Sequence, residues 1–448
     1  MPLSARANQT FAPRPRRAAA SALAVLAVAV AAPIAGCAAA SSGSAAAPSS
    51  TPARTGTASA GPSSTPSSAS SASGPAKAVP PASASSCAGR GASATASPSS
   101  GFDSTPSAAL AAVQFVDSGH GWVAGAGRIM ATSDGGGNWT RQYAGPADLD
   151  QVDFIDDQHG WAAGGDTLLR TTNGGASWTA LAEPCQGELS SVHFVSPALG
   201  YAVAAADAGN QSPGARYTQA LGGSLLRTTN GGASWSPVTS APANPQSACF
   251  ANADDGYLGT PAHIWRTTDG GQQWTLTLTE PGASGNQKTA DTPEIQCAGA
   301  SGLWVLFLGQ GVATGHAPYL AYASQDGREW HGVLEEQFTE SALRPGLKLP
   351  DGPGSGPGPF SAIDPGTAVF VGYTPPLGYG AAPVMLASDN GYALSKMGEV
   401  GTINEPIAAA FLSHDQGWVV GENLKTNAFS VEATSNAGRT WTTQYTVG

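Results

Sequence analysis

The chain has 448 residues; 58 are Gly, 34 are Pro, and only 11% are charged. Gly and Pro at that density exclude a long helical protein. All 31 acids lie at or after Asp103, where they meet only 13 bases, so residues 101–448 carry a net charge of −18. That excludes nucleic acid or an anionic membrane surface as the partner of this part, since both need basic patches.

Residues 1–17 are basic, with Arg6, Arg14, Arg16 and Arg17 and no acid, and residues 18–36 are apolar and small. A charged start, an apolar run and small residues before a cut are the parts of a secretory signal. The run closes on Ile34-Ala35-Gly36-Cys37, which resembles the lipobox of bacterial lipoproteins. The resemblance implies that 1–36 is a signal peptide. It also implies that Cys37 is acylated, becomes the mature N-terminus, and holds the protein on the extracytoplasmic side of the cell membrane. A plain signal peptide and a single span are the rivals, but so Ala-rich a run makes a weak span. Arg16-Arg17 leaves the export route open between the general secretory and twin-arginine paths.

Residues 37–100 are almost wholly Ala, Ser, Pro, Thr and Gly. Such a composition buries no core, so a disordered tether is expected. As a coil it reaches roughly 45 Å.

The remainder, 101–448, is repetitive. Residues 113–143 and 152–181 align throughout, and 224–238 and 264–278 repeat their second halves. The shared box is Ser/Thr-x-Asp/Asn-Gly-Gly-x-x-Trp. It places Asp134 with Trp139, Asn173 with Trp178, Asn230 with Trp235 and Asp269 with Trp274. Asp326 with Trp330 is one residue short, Asn436 with Trp441 has Ala437 in the first Gly slot, and ASDNGYAL at 387–394 is a decayed copy. The acid or amide accepts backbone N–H groups in a tight turn, and Gly supplies positive φ. Each unit carries an alternating strand, a Gly-Trp strand and two more, separated by Gly-rich turns. Four strands repeated seven times at about 40 residues predict an all-β, seven-bladed β-propeller. The boxes resemble Asp-box (bacterial neuraminidase) repeats. The form RTTNGGxxW after a Gly-Trp strand is most similar to the photosystem II assembly and stability factor-like repeat proteins. That resemblance implies a scaffold or assembly role at a membrane.

A glycoside hydrolase of the sialidase type is the enzymatic alternative. That family needs three Arg converging on a carboxylate, a Tyr–Glu pair and an acid, and its Arg-Ile-Pro motif is absent. Arg170, Arg227 and Arg266 share one slot in blades 2, 3 and 4, expected to be a solvated repeat position or a basic stripe. Of the acidic pairs, Asp156-Asp157 and Asp254-Asp255 sit in turns where Asp is a turn former; Glu335-Glu336 is the third. All 11 Trp are used by the repeat, which counts against a lectin, although a cell-wall glycan receptor stays a third reading. No His or Cys pair has ligand spacing, so neither metal nor other cofactor is expected, and the seven His are turn or surface residues.

Outside the cytoplasm an even set of Cys favours disulfides. Cys249 and Cys297 fall in first strands of adjacent blades and are plausible mates, leaving Cys87 to staple the tether to Cys185. Length variation gathers at 205–222, 309–319, 374–383, 279–294 and 335–359, between second and third strands or between blades. Those connections share the end of the ring opposite the boxes, and binding favours loops on rigid scaffolds. Arg216, Tyr217, Tyr319, Arg344, Tyr373 and Tyr379 are therefore the candidate contacts for a protein or cell-envelope partner.

Overall fold

Seven stretches of apolar/polar alternation, each cut by Gly-rich turns, fold as seven antiparallel sheets. The computed structural model describes the strand Thr95–Ala96 and residues 109–448, apart from 166, 183–188, 205–222, 281–291, 310–318, 337–348, 355, 373–380 and 389–391. Every regular element among them is a strand. Each sheet is built from consecutive strands. The first strands are Leu110–Phe115, Gln151–Phe154, Leu189–Phe194, Ser247–Phe250, Thr292–Ala298, Phe360–Asp364 and Glu405–Phe411. Each packs on the first strand of the next blade, and the seventh packs on the first. That pattern is a closed ring with the first strands at its hub, the seven-bladed β-propeller.

Two sheets depart from the expected four strands, and a third keeps four with a minimal outer one. In blade 1 one twelve-residue element, Gly121–Thr132, pairs with the first strand through its first half and with Thr140–Asp148 through its second. Gly127, at φ 69°, lets it double back without a break. In blade 3 the outer strand is only Ser236–Pro237, since Pro cannot donate to a ladder. Blade 2 has a fifth strand: Thr95–Ala96 pairs antiparallel with its outer strand, Trp178–Leu181. This strand lies within the segment read as tether to residue 100.

The blades are held to one another by an aromatic relay. The second-strand aromatic of one blade lies flat on the Phe that ends the next blade's first strand. Trp122 stacks on Phe154 at 3.6 Å, Trp161 on Phe194 at 3.5 Å, and Tyr201 on Phe250 at 3.4 Å. In blades 1 to 4 and 7 the box Trp then meets its own Phe edge-on, as Trp178 meets Phe154 at 5.8 Å. Both geometries suit the aromatic quadrupole and add about 0.5–1.5 kcal/mol per pair beyond area burial. The Gly of Gly-Trp has the same cause: a Cβ on Gly160 would sit 2.3 Å from the Phe154 ring. So the box Trp packs on its own blade, and the Gly-Trp strand spans the seam.

The closing seam repeats the stack, and the seam between blades 4 and 5 uses another device. Blades 1 and 7 share no strand, yet Phe115 stacks on Trp418 at 3.5 Å and Gln444 donates to the Gly135 carbonyl at 2.9 Å. Between blades 4 and 5 the Phe slot holds Ala298. There a disulfide joins Cys249 to Cys297, with Cα atoms 5.7 Å apart.

Candidate functional site

The boxes are built alike, and their chemistry is internal. In blade 1 the Thr132 hydroxyl donates to Asp134 Oδ1 at 2.8 Å and accepts the Gly136 N–H at 2.8 Å. Asp134 Oδ1 also accepts the Asn138 N–H at 2.8 Å. The same three bonds recur around Asn173, Asn230, Asp269 and Asn436. The short box of blade 5 closes on Gly327 and Ser324 instead. The residue four places on is matched to the box residue. Asp134 and Asp269 accept from the amides of Asn138 and Gln273. Asn173, Asn230 and Asn436 donate to the hydroxyls of Ser177, Ser234 and Thr440.

This matching gives the acid boxes a pH dependence that the amide boxes lack. Bonds from the Asn138 side chain, the Asn138 N–H and the Thr132 hydroxyl hold Asp134 at about 2, below its ordinary 3.8. Asp269 is lowered chiefly by the Gln273 N–H, and Asp326 by the Glu329 N–H. A carboxyl lowered by folding contributes stability above its unfolded value and loses it as pH falls through the folded value. We expect melting temperature to fall between about pH 4 and 2. The double variant Asp134→Asn/Asn138→Ser, which copies the blade 2 box, should melt like wild type at pH 7 and lose less on acidification. A steeper acid loss in the variant would contradict this.

The remaining polar candidates are also engaged in architecture. Asp117 is held at about 2 by the His120 ring and by the N–H groups of His120 and Gly119. Asp156 caps the equivalent turn with His159, at 2.9 Å. Asp255 pairs with Arg266 at 3.2 Å. Glu335 is buried and accepts the Leu349 N–H at 3.0 Å. Among the described residues no group of three His, Cys, Asp or Glu is placed to hold a metal ion.

The three slot arginines are not simply solvated. Each guanidinium lies over the second-strand aromatic of its own blade: Arg170 at 5.7 Å from Trp161, Arg227 at 5.9 Å from Tyr201, Arg266 at 5.8 Å from Tyr257. Arg170 also donates to the Pro197 carbonyl at 3.0 Å and Arg227 to the Tyr201 hydroxyl at 3.3 Å. The attraction of a cation for a ring face draws all three into half-buried positions. In blades 5 and 7 the residue opposite the second-strand Trp is Ala323 or Ala433. The three cations therefore form a row on blades 2 to 4, each over the ring of its own blade, and do not close on a single carboxylate.

Of the six candidate partner contacts, Arg216, Tyr217, Arg344, Tyr373 and Tyr379 lie outside the described residues. Tyr319 does not fit the role. It is wholly buried, its hydroxyl donates to the Gly354 carbonyl at 2.5 Å, and burial pushes its ionisation up. It is the first residue of a strand rather than the end of a loop. Cys37, Cys87 and Cys185 lie outside the described residues.

One set of residues was not singled out from the sequence. On first strands, Gln114, Asp153, His193, Gln296 and Ser361 each reach the backbone of the next blade. Gln114 bonds both groups of Phe154, Asp153 accepts the Phe194 N–H at 2.6 Å, and His193 Nε2 donates to the Phe250 carbonyl at 2.8 Å. Gln296 bonds Phe360 and Ala362, and Ser361 accepts the Phe411 N–H. Burial raises the Asp153 carboxyl, with His193 opposing it from 3.8 Å. For Gln114, Asp153 and His193 the available signal was a polar residue immediately before the strand-ending Phe.

Residues 99–184, through blades 1 and 2, match the family model described as photosynthesis system II assembly factor YCF48. The chain is an Asp-box repeat β-propeller similar to the photosystem II assembly factors. Among solved structures, YCF48 bound to D1 peptide shares 16% identity, with 73% of this chain and 97% of that one covered and a TM-score of 0.45. Virginiamycin B lyase from Staphylococcus aureus shares 14%, covering 70% and 91%, with a TM-score of 0.44. The WD40 propeller domain of Doa1 shares 11%, covering 74% and 95%, with a TM-score of 0.44. No curated protein shows significant similarity to the chain.

Proposed function

We propose that this protein is a non-catalytic, extracytoplasmic scaffold, lipid-anchored at Cys37, whose propeller holds a protein partner at the membrane. The observation that carries the reading is the assembly-factor match over blades 1 and 2. Against sialidase chemistry stands the separation of Arg170, Arg227 and Arg266 on three aromatic rings. The partner engages the end of the ring opposite the boxes. The strands flanking 205–222, 310–318 and 373–380 show that these connections join second to third strands. Those flanking 281–291 and 337–348 show that they join blades. All five therefore leave from one end, and rigid elements surround them.

The competing contact is the arginine row near the boxes, a fixed cationic feature on a domain of net charge −18. Replacing 205–222 or 335–359 with short turns should leave circular dichroism unchanged and abolish partner recovery from detergent-solubilised membranes. A triple Arg170/Arg227/Arg266→Gln variant, which keeps part of each stem over its ring, should retain the partner. The reverse pattern moves the contact to the box end. Cys37→Ala should release the protein from membranes or leave it unprocessed. Full retention with fatty-acid labelling in that variant refutes the anchor.

A further inference from the structure

The outer edge of a blade is a row of unpaired N–H and C=O groups, a ready template for another strand. Among the described residues six sheets end at their own outermost strand, and only blade 2 carries an addition. Its outer strand Trp178–Leu181 takes Thr95 opposite Thr179 and Ala96 opposite Trp178, antiparallel. Two further observations bear on this edge. Trp178 is 1% exposed, whereas Trp139, Trp235, Trp274, Trp330 and Trp441, the other box tryptophans, are all half-buried. And the stretch from Ala82 to Ser97 is the longest Pro-free run of the tether, 16 residues between Pro81 and Pro98. A docked strand needs its N–H groups, which Pro lacks. Within that run Ala92-Ser93-Ala94-Thr95-Ala96-Ser97 alternates small apolar with hydroxyl residues, the period of a strand with two unlike faces.

We propose that the outer edge of blade 2 is a strand-docking site, occupied in cis by the tether segment centred on Thr95–Ala96. From Ala96 the chain must reach the hub, where Leu110 begins the first strand. The path is feasible. The dozen or so residues between Ala96 and Leu110 span up to about 40 Å, and a four-stranded sheet is about 15–20 Å across. Main-chain pairing gives the affinity, and Thr, a good strand former, sits at the paired position. The blade 3 edge, Ser236–Pro237, offers no comparable ladder, because it is two residues long and one is Pro.

The test is amide hydrogen exchange on the full mature chain, wild type against Thr95→Pro/Ala96→Pro. Both substitutions lie before the ring, so the melting temperature reports whether the propeller itself is intact. Docking predicts that amides of Trp178–Leu181 exchange at least about tenfold faster in the variant, while those of the hub strands do not change. A second readout uses the native thiols. Antiparallel pairing sends residues below 95 and residues above 179 toward the same end of the edge. Cys87, eight residues before Thr95, and Cys185, six after Thr179, should then be recovered as one linked peptide on non-reducing digestion. Unchanged exchange at Trp178–Leu181 in an intact variant overturns the proposal. So does recovery of Cys87 or Cys185 free, or joined to another molecule.

Discussion

Trp178→Ala should lower the unfolding free energy by about 3–5 kcal/mol, the cost of truncating a large aromatic in a packed core. The residue is 1% exposed and meets Phe154 edge-on. Phe154 in turn lies flat on Trp122 of blade 1. The cavity therefore opens at the seam between blades 1 and 2, and the lost edge contact adds to it. Denaturant unfolding followed by fluorescence and circular dichroism measures the loss. Trp139→Ala, in the same box slot but half-buried, should cost distinctly less. A Trp178→Ala protein as stable as wild type that had lost only its partner would make the box a binding site and not a structural turn.

Loss of the Cys249–Cys297 disulfide should cost about 4 kcal/mol, the loop-closure entropy of a link across 48 residues. The seam it crosses has no aromatic stack to fall back on, because Ala298 stands where blades 1 to 4 and 7 have Phe. Tyr257, which would lie on that Phe, bonds the Ser301 carbonyl instead. Cys249→Ser should unfold at lower denaturant than wild type. Amides of Ser247–Phe250 and Thr292–Ala298 should be the first hub strands to exchange. If the variant exchanges first at the seam between blades 7 and 1 instead, closure without a shared strand is the weaker joint.

The repeat was legible because its residues answer to local demands. Gly174 and Gly175 are needed where φ reaches 65° and 87°, and Asn173 is needed where one side-chain oxygen accepts both the Thr171 hydroxyl and the Ser177 N–H. Such constraints act within eight residues and recur, in full or shortened form, in six of the blades, so the fold class and blade count could be counted along the chain. The candidate contacts were far less legible. Arg216 and Tyr379 were chosen because loops vary, which says where binding is permitted and not what binds. Tyr319 was misplaced by one residue: assigned to a loop end, it opens a buried strand, where its neighbour on the adjacent strand is Leu308.

By itself the sequence determined the seven-bladed all-β ring, the turn chemistry of its boxes and the acidity of its surface, because turn φ angles, strand period and charge are set by adjacent residues. Only the tertiary structure decided which ring each aromatic lies on, that Arg170, Arg227 and Arg266 are drawn onto Trp161, Tyr201 and Tyr257, and that Thr95–Ala96 belongs to blade 2. Gln114 meets Phe154 forty residues away, and Trp418 meets Gly135 of the adjoining blade, 283 residues earlier in the chain. Contacts of that kind arise when the ring closes, and no spacing along the chain encodes their partner.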